Sequence, residues 1–128
     1  MLLKSLEIVL DSGKLSVTES IEFSELLTRK YFNQKDFAKT IAWATRYFGY
    51  GGNDAALRRA LVLSYYLNNE FDRASEEVSL DIQMAEIAGA KPTEEQLRLL
   101  VSCAQKRDDK VAYASAVQKY AAYYPKTK

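Results

Sequence analysis

The two segments LLTRKYFNQKDFAKT (residues 26–40) and ALVLSYYLNNEFDRA (residues 60–74) decide the fold of this chain. They match at five positions in one register, each pair separated by 34 residues: Leu27 and Leu61, Tyr31 and Tyr65, Asp36 and Glu70, Phe37 and Phe71, Thr40 and Ala74. Five matches in one register exceed what composition alone usually gives. A fixed period of this length is the sequence signature of stacked helical hairpins.

Each segment has the pattern of two helices joined by a polar turn. The first helix carries an apolar stripe, and the turn falls at residues 33–35 or 68–69. An aromatic residue, Phe37 or Phe71, then opens the second helix, where we expect it to wedge between the two helices. One turn later, the small residues Thr40 and Ala74 let the helices approach closely. Packing therefore explains the pattern without any chemistry.

A third, divergent unit follows about 39 residues after the second. It begins after a break at residues 88–92, where Thr93 stands three residues before Gln96 in the form of a capping box. Its second helix is predicted from Val111 to Tyr124, because Pro125 cannot continue a helix. This unit repeats the helix–turn–helix pattern with a longer connection in front of it.

One further helix is predicted at the front of the chain. Leu3, Leu6 and Leu10 follow helical spacing until Gly13, and Ser16 opens a second capping box with Glu19. We therefore expect one domain over 1–128 with about seven helices, divided into a leading helix at 1–13, repeats at 17–50 and 53–88, and a divergent repeat at 93–125. The lone front helix, and an end without a polar capping helix, are typical of a segment taken from a longer array.

These units resemble the tetratricopeptide repeat (TPR) family over roughly residues 18–125, nearly the whole chain. The resemblance implies an all-α, right-handed superhelix of the solenoid type. The sequence departs from the family pattern at the usual turn glycine, which is replaced by Lys35 and Asn69. The closing stretch, residues 120–126, is similar to that of a group of uncharacterised bacterial TPR proteins that are often exported. That likeness implies a periplasmic or exported protein, and without it a cytoplasmic one is expected.

The resemblance also implies a function and a set of binding residues. TPR proteins are protein-binding scaffolds in which the first helices of successive repeats line a concave groove. Carried over one residue at a time, the groove positions are Glu25, Arg29, Phe32 and Asn33 in the first unit; Arg59, Leu63, Tyr66 and Leu67 in the second; Arg98, Ser102 and Gln105 in the third.

This groove mixes arginines with aromatic side chains. The arginines offer forked donors to a carboxylate, and Phe32 and Tyr66 offer large contact areas. Two alternatives stay open: the arginines are solvated or paired with neighbouring acids, and the two aromatics pack under the N-terminal helix.

Composition narrows the class of partner. Eighteen basic and seventeen acidic residues give a net charge of +1, too little to hold a nucleic-acid backbone or an anionic membrane. No apolar run approaches the length of a membrane span. We therefore expect a protein or peptide partner, or a homo-oligomer, and neither nucleic acid nor membrane insertion.

The residues give no indication of an enzyme. The chain has no histidine, which removes the commonest general base and metal ligand. Its one cysteine, Cys103, is predicted to be a buried structural thiol, the alternative being a reactive one. Residues 51–54 are predicted to form a helix C-cap followed by an N-cap and not a phosphate loop. The prediction is a binding protein with no catalytic site, no cofactor and no metal.

A cluster of tyrosines near the C-terminus allows a second reading. These tyrosines either fill gaps between hairpins or form an exposed aromatic surface that docks onto a further repeat or another copy. They are Tyr120, Tyr123 and Tyr124. The alternative functions are therefore a self-association module that uses its exposed ends, and a regulatory segment of a larger protein.

Overall fold

The computed structural model describes residues 2–125, which form seven α-helices and no strand. The helices are α1 (Leu2–Asp11), α2 (Val17–Asn33), α3 (Phe37–Gly49), α4 (Ala55–Leu67), α5 (Phe71–Ile87), α6 (Glu94–Lys106) and α7 (Lys110–Tyr123). The all-α class and the number of helices are confirmed. The TPR assignment, the repeat boundaries and the superhelix remain predictions.

Two helices begin at the predicted capping boxes. At the start of α2, the Glu19 amide donates to Ser16 Oγ (3.1 Å), and the Ser16 amide donates to Glu19 Oε1 (3.0 Å). At the start of α6, Thr93 and Gln96 make the same reciprocal pair at 3.1 and 3.0 Å. Each box satisfies two backbone amide donors that a helix start would otherwise leave without a partner, which is why these two starts could be located from sequence.

The turns after α2, α4 and α6 share one backbone feature. Lys35, Asn69 and Asp108 have positive φ angles of 62°, 63° and 54°, so they recur at the spacings seen in the sequence. After α2, the Lys35 amide donates to Phe32 O and the Asp36 amide to Tyr31 O, both at 3.0 Å, which is a Schellman motif. The turn after α6 has the same pair of bonds. A left-handed conformation is the reason a glycine is usual here.

We expect Lys35→Gly to raise the free energy of unfolding. Glycine removes the roughly 1–2 kcal/mol cost of a Cβ in the left-handed region, and part of this gain is lost because glycine loosens the unfolded chain, leaving about 0.5–1 kcal/mol. Urea unfolding measures the change. Lys30→Gly is the matched control, since Lys30 lies inside the last turn of α2, where glycine should destabilise by about 1 kcal/mol. Destabilisation by both variants would contradict the role assigned to the turn.

The chain divides into two compact units, one up to Asn68 and one from Asn69 onwards. The first contains α1 to α4, and α2 packs against α1, α3 and α4. Leu10, Leu27, Tyr31 and Trp43 form a buried cluster there, covered by partly buried side chains that include Leu3, Leu6, Leu15, Phe23 and Tyr50. Thr40 is fully buried, and its hydroxyl donates to Asp36 O (2.8 Å), so the predicted small position in the first hairpin is confirmed.

The second unit contains α5, α6 and α7, with α6 packed against both of the others. The buried residues of its helices are Ala74, Val78 and Ile82 of α5, Leu97, Cys103 and Ala104 of α6, and Ala116 of α7. Helix α7 thus buries a single residue and leaves most of its surface accessible. Within residues 2–125, no helix has the length and apolar character required to cross a bilayer.

Candidate functional site

A concave surface within the second unit lies between α6 and α7. It consists of a groove of about 1030 Å³ beside Arg98, Val117, Tyr120, Ala121, Tyr124 and Pro125, and a hollow of about 300 Å³ beside Gln105, Asp109 and Tyr113. Tyr113, Val117, Tyr120 and Tyr124 share one side of α7, because their spacing of i, i+4, i+7 and i+11 follows the helical repeat. We call this surface the α6–α7 trench.

A three-membered polar network fixes the middle of the trench. The Tyr120 hydroxyl donates to Glu94 Oε2 (2.7 Å), and Arg98 Nη2 donates to the same oxygen (2.8 Å). Arg98 Nε also donates to the Tyr120 hydroxyl oxygen (3.1 Å). The hydrogen bond from Tyr120, together with the charge of Arg98, holds the pKa of Glu94 below its ordinary value despite some desolvation. The carboxylate is therefore ionised at neutral pH and ties α6 to α7.

Tyr124 closes one end of the trench. Its hydroxyl donates to Pro92 O (2.7 Å), and its ring meets Tyr120 edge-on at a centroid distance of 6.2 Å. The ammonium of Lys91 lies 4.1 Å from the centroid of the Tyr124 ring, a cation–π geometry. These contacts fix the end of α7 to the loop before α6, so the aromatic wall is held in place before any ligand arrives.

A second set of contacts holds α7 to α5. Glu86 Oε2 accepts hydrogen bonds from Lys119 Nζ (2.9 Å) and from the Tyr123 hydroxyl (2.8 Å). The Lys119 hydrogen bond, followed by that of Tyr123, lowers the pKa of Glu86, while the bond to Glu86 raises the pKa of Tyr123. The closing tyrosines therefore act first as ties between elements, as the gap-filling interpretation expects, and all three also line the larger groove of the trench.

The predicted binding residues of α6 lie along this surface. Arg98 lines the larger groove and Gln105 the smaller hollow, and the half-buried Ser102 lies between them on α6. Arg98 is already engaged by Glu94 and Tyr120. This arginine is therefore paired with a neighbouring acid, which was the alternative to an arginine available to a ligand.

The predicted binding residues of α2 are also partly engaged. Arg29 Nη2 lies 3.1 Å from Glu25 Oε2 and 3.3 Å from Asp54 Oδ2, so it links α2 to the residue that caps α4. Phe32 is half-buried and meets Phe37 edge-on at 6.2 Å, while Asn33 is exposed. Because the ring contact of Phe32 is with the start of α3, this side chain supports the first hairpin.

The predicted residues of α4 differ in exposure. Arg59 is exposed, whereas Leu63 and Tyr66 are half-buried. Arg59 and Tyr66 each have an interaction partner within the chain. The binding role of these three residues remains a prediction.

Sequence reasoning missed Val117 and Ala121 as trench residues. Only the tyrosines were singled out, although Val117 completes their spacing on α7. An apolar or aromatic residue at each of positions 113, 117, 120, 121 and 124 was the available signal. Which side of α7 is buried is decided by Ala116, and nothing in the sequence marks that alanine.

Two further predictions concern groups considered as candidates for chemistry or ligand binding. Cys103 is buried, as predicted, and desolvation raises the pKa of its thiol to about 11. Gly51 directly follows Tyr50, the C-cap residue of α3, and has a φ of 108°. Asp54 caps α4 by accepting from the amides of Ala56 (2.7 Å) and Leu57 (3.3 Å), so the capping interpretation of residues 51–54 is confirmed. Over residues 2–125, no group of three or more His, Cys, Asp or Glu side chains is placed to hold a metal ion.

Comparisons with known proteins gave no match to a protein-family model, a curated protein or a solved structure.

Proposed function

We propose that this chain is a protein-interaction scaffold that binds a helical segment of a partner protein in the α6–α7 trench. The observation that carries the proposal is the accessible row of Tyr113, Val117, Tyr120 and Tyr124. The last three line the groove of about 1030 Å³, and Tyr113 lines the hollow of about 300 Å³. The TPR resemblance supports the same class of function. The trench adds α7 residues to the predicted groove residues of α6.

The apolar row fits a partner helix. From Tyr113 to Tyr124 it runs about 16 Å, or three helical turns. Val117 lies at its centre with 40% of its surface exposed, so binding would remove apolar area from water. A helix that presents apolar residues at i, i+4 and i+7 packs into such a groove by interdigitating its side chains.

The trench is also rigid before binding. The hydroxyls of Tyr120 and Tyr124 are held by Glu94 and Pro92. Tyrosines restrained in this way lose little conformational entropy when a partner covers them. Lys91 at the end of the groove favours a partner with an acidic side chain at that end.

A matched pair of valine variants tests the trench. Val117 and Val111 both lie on α7, but Val111 points away from the trench and is 82% exposed. Peptides are selected from a displayed library of helices with randomised surface positions, and their affinities are measured for the unaltered protein, Val117→Glu and Val111→Glu. We expect Val117→Glu to weaken binding by at least about tenfold, or about 1.4 kcal/mol, and Val111→Glu to change it little.

Circular dichroism should show the same helix content in both variants, since both valines are exposed. Selected peptides that bind both variants equally would contradict binding in the trench. Failure to select any helical binder would contradict the proposed function itself.

Self-association is a second candidate, favoured by another exposed apolar surface. Ile8 and Val9 are exposed on α1, and a contact between unlike surfaces of two copies extends head to tail. Sedimentation velocity over a range of concentrations distinguishes the candidates. A mass that rises with concentration and returns to the monomer in both Ile8→Glu and Val117→Glu would support assembly through the α1 surface and the α6–α7 trench.

A further inference from the structure

An apolar row on α5 has no role in the core of the second unit. Leu80, Met84 and Ile87 follow one another at i, i+4 and i+7, and their exposed fractions are 49%, 60% and 80%. The buried residues of the same helix, Val78 and Ile82 among them, lie on the opposite side. We call the three exposed residues the α5 stripe. Such a row is the pattern with which a helix meets another amphipathic helix.

Helix α5, which carries the stripe, is rich in acidic residues. Helix α5 contains five acidic residues and one basic residue, a net charge of −4, although the whole chain has a net charge of +1. The exposed Glu76 lies one turn before Leu80 on the same face. Asp81 and Glu77 border one side of the stripe and also interact within the chain. The single base, Arg73, stands at the far, N-terminal end.

The end of α5 adds to this field. Its last turn contains no basic residue, so the partial negative charge of the helix C-terminus is not opposed from within the helix. Glu86 in this turn is compensated by Lys119, and Asp72 in the first turn by Arg107. The uncompensated negative potential is therefore concentrated along the stripe, at Glu76 and at the C-terminal end beside Ile87.

We propose that the α5 stripe is a second docking surface, which binds a basic amphipathic helix of a partner protein. The apolar face of that helix covers Leu80, Met84 and Ile87, and its lysines or arginines lie beside Glu76 and the C-terminal end of α5. Met84 suits this role because its unbranched thioether adapts to different partners. An anionic membrane surface would be repelled by the same charges. A second surface would let the scaffold hold two partners at once.

Two designed peptides of about 14 residues test the proposal. Both carry leucines at i, i+4, i+7 and i+11; one has lysines at the flanking positions and the other has glutamates. Fluorescence anisotropy in about 150 mM salt should show that the lysine peptide binds at least about tenfold more tightly. A scrambled lysine peptide without the leucine row should bind as weakly as the glutamate peptide.

Substitutions in the α5 stripe and beside it locate the bound peptide. We expect the double variant Met84→Ser, Ile87→Ser to weaken the lysine peptide at least about tenfold, and Glu76→Lys to weaken it about threefold. Val111→Ser is the matched control for loss of an exposed apolar side chain and should change nothing. Val117→Glu should also leave this peptide bound, which separates the proposal from the α6–α7 trench.

Three results would overturn the proposal. The first is equal binding of the lysine and scrambled peptides, because charge alone would then explain it. The second is loss of binding in Val117→Glu with retention in the Met84→Ser, Ile87→Ser variant, because the peptide would then occupy the trench. The third is sedimentation of the protein with vesicles containing about 30% phosphatidylserine while the lysine peptide fails to bind, because the stripe would then be a membrane surface.

Discussion

Replacement of Gly52 by alanine is expected to lower the free energy of unfolding by about 2 kcal/mol, within the range for overpacked interiors. A Cβ on Gly52 would overlap the ring of Tyr47, with Cε1 only 2.5 Å away. The overlap cannot be relieved easily, because Tyr47 is buried and its hydroxyl accepts a hydrogen bond from the Asp54 amide (2.9 Å). The backbone is tied as well, since the Gly52 amide donates to Tyr47 O (3.0 Å).

The measurement is urea unfolding followed by the fluorescence of Trp43, the single tryptophan. Gly49→Ala is the control, because Gly49 is the last residue of α3 and a Cβ there meets nothing within 4 Å. Alanine at Gly49 should be neutral or stabilise by up to about 1 kcal/mol. Equal effects of the two alanines would show that the Tyr47 ring yields, and the close approach would then have no energetic consequence.

The second large effect is expected for Trp43→Ala, which should remove about 3–5 kcal/mol from the free energy of unfolding. Trp43 is buried with Leu10, Leu27 and Tyr31 in the core of the first unit. The guanidinium of Arg46 lies 4.4 Å from its ring centroid and also pairs with Asp11 of α1 at 2.7 Å. The variant therefore leaves a cavity and loosens a cation that connects α1 to α3.

Far-UV circular dichroism during thermal and urea unfolding measures this loss, because the variant has no tryptophan fluorescence. Trp43→Phe keeps part of the volume and an aromatic face for Arg46, so it should lose less than half as much. A loss below about 1 kcal/mol for Trp43→Ala would mean that the site collapses around the smaller residue, and that Trp43 does not organise this core.

Local signals explain how much of the fold could be predicted. The capping boxes at Ser16 and Thr93 and the stop at Pro125 each act within a few residues, so the sequence alone locates those helix ends. The turn at Lys35 shows the limit of such signals. Its left-handed backbone is imposed by the hairpin and not by the residue, and only the 34-residue period pointed to it.

The binding surface was harder to predict because it depends on contacts between distant residues. The ion pair from Arg29 to Asp54 joins residues far apart in the chain, and the hydrogen bond from Arg98 to Tyr120 does likewise. From their exposed positions on helices, these arginines were predicted to be available to a ligand. In the folded protein they have partners within the chain. Ser64 shows the same limit of prediction in another way, since its buried hydroxyl has no hydrogen-bond partner among residues 2–125, and no sequence pattern marks it.

The burial of Cys103 makes its thiol a probe of opening in the second unit. The chain has one cysteine and one tryptophan, and they fall in different units. A thiol reagent reaches Cys103 only when α6 opens, so the labelling rate counts opening events there. The fluorescence emission of Trp43 reports unfolding of the first unit, which contains α1 to α4. Recorded together on unaltered protein, the two signals tell whether one half of the chain can melt while the other stays folded.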